Sequence, residues 1–427
     1  MKALRTLGTV LTTVSALTAA GAAQAADAVM DKGDVAWMLV ATTLVLFMTI
    51  PGIALFYGGM ARKKNLLSLL AQTTVICCAL TLVWVTIGYS LAFTPGNPFI
   101  GNFSQAMLMN IGIKDLSGSI PTLLFVIFQM TFCVLTAALM IGSFAGRMKF
   151  SSMLVFMLAW SVVVYAPICH WVWCEGGFFF DMGALDYAGG TVVHINAGIS
   201  GLVACLVLGK RLGYGREAMS PHNLSVSMIG AAVLWIGWFG FNGGSGLAAD
   251  ERAVMAILVS QIAAAAAGFT WMCIEWMLRG KPSLLGMISG AVGGLVVITP
   301  ASGFVGPVAA LVMGIAGGAA CFWGAVVLKR LMGWDDSLDA FGVHGVGGIV
   351  GALLTGVFAS SVVTGSEMNP VLTQVGIQAA SVLATLVYAG VMSWILLKLI
   401  DLAMGLRVTI DEERQGLDLA LHGERVE

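Results

Sequence analysis

Charge is what this sequence has least of. Lys, Arg, Asp and Glu together make up 10% of 427 residues, while 59% are hydrophobic. A soluble domain carries roughly 25% charge. So little polar side chain cannot cover a water-facing surface of this size, and a soluble globular protein is excluded. The net charge of -1 leaves no basic excess, so no nucleic-acid footprint is visible. Metal chemistry is equally thin. Of the 8 cysteines, Cys77, Cys78, Cys133, Cys205, Cys273 and Cys321 lie inside apolar runs, where they act as small hydrophobes. No Cys/His metal spacing and no disulfide framework appears. Cys169 and Cys174 are the two placed near an expected outer surface, where pairing is open to them. No loop carries a nucleophile–base set, so an enzyme is not indicated.

What the chain does have is long continuous apolar runs. They predict membrane-spanning helices, because the strands of a barrel would alternate. A crossing needs about 20 residues. Eleven runs qualify, at 35–59, 66–93, 121–145, 150–171, 190–209, 222–241, 253–278, 284–300, 304–328, 341–360 and 372–404. The 54 glycines fit close helix packing in lipid. Ahead of these runs, Lys2 and Arg5, a short apolar stretch and Ala23-Gln24-Ala25 read as a signal peptide over residues 1–25. The transmembrane domain is expected over 26–405 and a polar tail over 406–427.

Loop charge sets the expected orientation. Loops after odd-numbered spans carry twelve basic residues, from Arg62, Lys63 and Lys64 to Lys329 and Arg330. Loops after even-numbered spans carry only Lys114 and Arg252. The positive-inside rule then places the N-terminus outside and the C-terminus in the cytoplasm. A cleaved signal peptide implies the same orientation.

Residues 189–203 read GGTVVHINAGISGLV, and residues 342–353 read GVHGVGGIVGAL. Both contain V-H-x-x-x-G-I-x-G, in spans 5 and 10. Five spans is an odd number, so the two halves cross in opposite directions, which marks an inverted repeat. Asp186 precedes His194 by eight residues, and Asp336 precedes His344 by eight. Phe56-x-Gly-Gly in span 1 weakly echoes Phe241-x-Gly-Gly in span 6. The fold class expected is therefore an all-α polytopic membrane protein of eleven helices. It has a 5+5 inverted repeat and a long, tilted eleventh helix outside it.

Equivalent residues of such a repeat meet near the membrane midplane. His194 and His344 should therefore face each other at depth. Ionisable residues there are costly and usually mark a pathway. The bland reading is a satisfied core pair joining two spans. A metal or haem would need further ligands or clearance, and no carboxylate or cysteine lies at matching depth. A proton pump would add intramembrane carboxylates. A narrow apolar pore remains, in which two neutral imidazoles offer polar contacts to a small hydrogen-bonding solute. No cofactor is expected. Beside span 5 lies CHWVWCEGGFFFDMGALD. Its aromatics form an interfacial belt or bind a cation on ring faces, worth about 0.5–2 kcal/mol per ring. Phe128 and Phe132 in FQMTF, and Phe241 and Ser245 in WIGWFGFNGGSG, converge on the same end.

These residues resemble the ammonium transporter family, the Amt/Mep/Rh superfamily, and in particular bacterial Amt proteins of Gram-negative cells. The motifs are MTIPGIALFYGGMARKKN (48–65), LDYAGGTVVHINAGISGLV (185–203), IGWFGFNGGS (236–245), RGKPSLLG (279–286), DAFGVHGVGGIVG (339–351) and GLRVTIDEERQGLDLALHGE (405–424). The resemblance implies a homotrimer in lipid of the bacterial inner membrane, with one pore per protomer. It implies an external ammonium site at Phe132, Trp173 and Ser245, and a pore gate at Phe128, Phe132 and Phe241. It implies a conduction path at His194 and His344, and an electrostatic or structural role for Asp186. The segment after Trp173 departs from the family pattern, with Cys174-Glu175 and three consecutive phenylalanines. For the tail, composition alone reads as a disordered cytosolic end. The resemblance implies docking of a PII-type nitrogen regulatory protein. Two other readings stay open: an ammonium sensor, and a neutral ammonia gas channel of the Rh type.

Overall fold

The computed structural model describes residues 29–426. The expected signal peptide, residues 1–25, lies outside the described residues. Among the described residues, ten helices are long and apolar enough to cross a membrane. They are α1 (Lys32–Met60), α2 (Lys63–Phe93), α3 (Thr122–Phe144), α4 (Phe150–Asp181), α5 (Gly190–Leu208), α6 (Leu224–Gly244), α7 (Glu251–Arg279), α9 (Pro307–Met332), α10 (Phe341–Phe358) and α11 (Val371–Met404). Each coincides with one expected run, though α4 continues about ten residues beyond it through a turn. The run at 284–300 becomes α8, Leu284–Ile298, of 15 residues. It is shorter than a bilayer-spanning helix needs, and a buried turn at Thr299–Gly303 completes the run.

Helix starts follow local chemistry. Asn223, Asp250 and Ser283 each turn a side-chain oxygen onto an exposed N–H of the first turn of α6, α7 and α8. Gly280, at φ 73°, ends α7 in the left-handed region that a residue with a Cβ avoids. Glycines let α7, α8 and α9 approach: Gly294 and Gly314 both abut the Ala263 carbonyl. α3 and α5 are buried along most of their length and sit at the centre, whereas α11 keeps one face exposed.

Cys169 and Cys174 are buried free thiols. They lie five residues apart at the end of one helix, where their backbone positions are set by the helical turn, and they do not pair.

The tail is not a loose end. The α12 (Ile410–Gln415) and α13 (Leu417–His422) helices lie against the loops that carry the basic residues. Lys149 N–H donates to the Leu406 carbonyl and Val408 N–H to that of Arg147. Arg407 donates to the carbonyls of Leu208 and Lys210 and to Glu413. Ser68 N–H donates to Asp418, and Leu417 N–H to the Asn65 side chain. The polar composition that read as disorder is used up in bonds to other loops.

The same face is held by a buried charge network. Asp335 accepts from Arg211 through Nε at 2.9 Å, Nη2 at 2.6 Å and the backbone N–H at 2.7 Å. Arg147, fully buried, donates to the Asp335 carbonyl at 2.8 Å and to Ser337. Burial pushes the Asp335 carboxyl up, but the bonds and charge of Arg211, with Arg147, bring it below the usual carboxylate range. Removing one partner of a buried pair typically costs about 3–5 kcal/mol. Asp335→Ala should therefore lower the melting temperature markedly in detergent. The folded-state pKa lies below the unfolded one, so this stabilisation is complete at neutral pH. It should be lost only as pH falls through and below the ordinary carboxylate range. A melt unchanged by the substitution would remove the network from this role.

Candidate functional site

The two histidines lie at the starts of α5 and α10, in matching wide turns. Gly190–Ile195 and Phe341–Gly345 are π-helical, and each follows an aspartate that caps it. Wide turns of this kind shift side chains off the regular helical face. The Asp186 carboxylate accepts from the N–H groups of Gly189, Gly190, Thr191 and Val192 and from the Thr191 hydroxyl. Asp336 accepts from Phe341 and Gly342 N–H. Burial raises the Asp186 carboxyl, and the donors from Thr191, Val192 and Gly190 oppose it. Its five donors fix the first turn of α5.

The rings then meet. His344 Nδ1 and His194 Nδ1 are 3.3 Å apart, and the rings stack at 5.3 Å with 19° between planes. Two nitrogens at that distance share one proton: one donates and the other accepts. His194 is fully buried, and its Nε2 has no hydrogen-bond partner. That nitrogen is a free polar contact within an apolar wall. Trp238 stacks on His194 at 5.5 Å and is pinned by its indole N–H to Thr299 Oγ1 at 2.8 Å.

Aromatic rings continue the line away from His194. Phe241 lies 6.1 Å from it, and Phe132 stacks on Phe241 at 4.2 Å with 26° between planes. Rings at that separation leave no passage between them, so the line is shut there. Trp173 meets Phe132 edge-on at 5.6 Å. Phe128, also edge-on to Phe132 at 5.0 Å, sits behind it against Gly244. Like Phe241, it is not among the residues lining the cavity beyond.

That cavity, of about 230 Å³, is lined by Phe132, Trp173, Ser245 and Asp186, together with Gln129 and Tyr187. Ser245 Oγ gives its proton to the Phe241 carbonyl at 2.8 Å, which leaves its lone pairs for a donor in the cavity. The Trp173 indole N–H is held by the Asp186 carbonyl at 2.7 Å, which fixes the ring. The sequence reading did not select Gln129 and Tyr187. Gln129 Oε1 and the Tyr187 hydroxyl are buried without a partner on this cavity wall. The signal for Tyr187 was its place next to Asp186, and for Gln129 its place next to Phe128 in FQMTF. Arg252 clamps the Tyr187 ring at 5.2 Å and the Phe304 ring at 5.1 Å. The cavity therefore combines ring faces with polar oxygens, suited to a small cation that donates hydrogen bonds.

The model of the Ammonium Transporter Family matches residues 36–427. The chain belongs to the ammonium transporter family. It is 46% identical over 402 residues to an ammonium transporter of Bacillus subtilis, covering 93% of this chain and 98% of that one. It is 45% identical over 434 residues to one of Aquifex aeolicus, covering 100% and 99%. Among solved structures, Saccharomyces cerevisiae Mep2 superposes with a TM-score of 0.83 at 39% identity, over 90% of this chain and 88% of that chain. A protein described as a sensor Amt protein superposes with a TM-score of 0.86 at 27% identity, over 91% and 98%. The chain is thus a multi-pass membrane transporter of ammonium and not an enzyme.

Two substitutions separate binding from scaffolding in this transporter. Tyr187→Phe removes only the unpartnered hydroxyl. It should raise the half-saturating ammonium concentration severalfold and leave the melting temperature in place. Asp186→Asn turns an amide N–H toward backbone donors, which costs about 1–3 kcal/mol. It should lower both transport and melting temperature. Ammonium uptake and thermal melts on the same preparations measure both, and an Asp186→Asn protein that melts like the wild type would count against the capping role.

Proposed function

We propose that the protein draws ammonium from the periplasm into the cavity at Trp173, Phe132 and Ser245, where it gives up its proton to solvent water, and passes ammonia along the histidine pair to the cytoplasm. The observation that carries this reading is the unbroken line from that cavity through Phe132 and Phe241 to His194 and His344. Ring faces and hydroxyl oxygens replace the water that ammonium sheds. Potassium, similar in size, gains from the rings but has no hydrogen bond to give Ser245. Past the phenylalanines a bare cation finds no water, and the cost of charge in an apolar tube favours release of the proton. The neutral imidazoles offer ammonia an unpartnered ring nitrogen at His194 Nε2.

In the same reading, spans 1–5 and 6–10 form an inverted repeat, α8 with its buried turn serves as the eighth of eleven crossings, and α11 stands outside. The basic loops then lie in the cytoplasm of a bacterial inner-membrane protein, with the N-terminus periplasmic. The protein works as a homotrimer, and a PII-type regulatory protein docks on the face where the tail is bound. A second reading, an ammonium sensor, has one specific support: the sensor Amt protein among the structural neighbours. A neutral ammonia gas channel of the Rh type is the other.

Purified protein in liposomes, given an ammonium jump on a solid-supported membrane, distinguishes these. A saturable current absent with potassium would mean that the released proton also crosses, by a path separate from the ammonia line. Internal alkalinisation without current would mean that only neutral ammonia passes. Changing His194 and His344 together to aspartate should abolish the discrimination against potassium. A double variant that still rejects potassium would take the histidines out of the mechanism.

A further inference from the structure

The tail and the basic loops enclose a second cavity, of about 410 Å³, far from the histidine line. Its wall carries four cations, Arg62, Lys64, Arg216 and Arg414, and two carboxylates, Glu217 and Glu413. The excess is larger than the count suggests. The Glu413 carboxylate is already engaged by Leu212 N–H at 2.6 Å and Arg407 Nη2 at 2.7 Å. The Lys64 ammonium is anchored on the Glu413 and Arg414 carbonyls, at 2.9 Å and 2.6 Å, and keeps its charge. Arg62 is the unusual member. It is half-buried, and its Nε and Nη2 are shielded from solvent with no hydrogen-bond partner.

Nε and Nη2 form one edge of the guanidinium, the edge that grips two oxygens of an oxyanion in parallel. Leaving those N–H groups unpaired is costly, so a partner of that shape is missing. Burial, and then the charge of Arg211, pull the Arg62 guanidinium below its ordinary value, as befits a cation short of countercharge. Cations reach the cavity from three separate segments: 62–64, 216 and 414. Charges converging from several sides suit a tetrahedral oxyanion with oxygens in several directions better than a flat carboxylate. The volume also exceeds what a lone inorganic ion fills.

We infer that this cavity is a binding site for a phosphate group, gripped by Arg62 and closed by Arg216 and Arg414. Because Arg414 lies in α12 and Arg62 follows α1, an occupant ties the tail to the first basic loop. The phosphate belongs either to a soluble phosphate compound or to an anionic lipid headgroup at the same face.

The test uses the full-length protein. In detergent, inorganic phosphate is titrated by calorimetry at constant ionic strength, with chloride as the reference anion. In nanodiscs of phosphatidylcholine with or without phosphatidylglycerol, native mass spectrometry counts the anionic lipids retained. Each is repeated with Arg62→Gln, Arg216→Gln and Glu217→Gln. Arg216 and Glu217 are exposed, so their substitution leaves the fold intact. Saturable phosphate binding that weakens about tenfold or more with either arginine variant, and tightens with Glu217→Gln, supports a soluble ligand. Retention of phosphatidylglycerol that the arginine variants lose, without phosphate binding in detergent, supports the headgroup. Binding of neither probe, or binding equal in all variants, overturns the proposal.

Discussion

Taking a charge out of water costs several kcal/mol even after the surroundings relax, and the surroundings of Asp186, Asp335 and Arg147 are arranged around that cost. Asp186 is buried only because five donors surround it. Asp335 and Arg147 are buried only because Arg211 completes their network. Between these two charged ends lies the apolar stretch that holds the histidines, and there the chain keeps no charge at all. The two Nδ1 atoms, 3.3 Å apart, share one proton, and Trp238 and Phe241 flank His194. On the proposed function, the same cost that forces each carboxylate to be capped makes the middle of the line passable to a neutral solute and hostile to an ion, so fold and selectivity draw on one term.

Much of this was legible before any coordinates. Apolar runs of about 20 residues have one physical outcome in lipid, and ten of the eleven became long apolar helices, with α4 running about ten residues further. The eighth run shows where the rule stops. Hydropathy does not distinguish a helix from a buried turn, so 284–300 read as one span although its last residues leave the helix at Thr299. The repeated V-H-x-x-x-G-I-x-G could be seen because it recurs, and recurrence needs no geometry.

Single residues without an echo were not visible in the same way. Tyr187 and Gln129 are marked by what their oxygens lack, which is a partner, and that is a property of the surroundings rather than of the residue. Phe128 is visible by spacing alone: one helical turn from Phe132, it meets that ring edge-on and packs on Gly244. The tail failed for a third reason. Composition counts polar groups but does not say whether they bond to water or to another loop, and here Arg407, Asp418 and Lys64 bond to loops.

The docked tail changes how the face with the basic loops is understood. Arg147 joins two systems: its side chain holds Asp335 and Ser337 beside α10, and its backbone carbonyl receives Val408 of the tail. Ser143, in the last turn of α3, offers its carbonyl to the backbone N–H of Ser337. The tail therefore rests on the residues that hold the Asp336 turn, and that turn sets the start of the helix carrying His344. On the proposed function, a partner that lifts or presses the tail has a short route of hydrogen bonds through Arg147 and the Asp336 turn to the helix carrying His344, beside the tail's other contacts at Lys149, Arg407, Leu417 and Asp418.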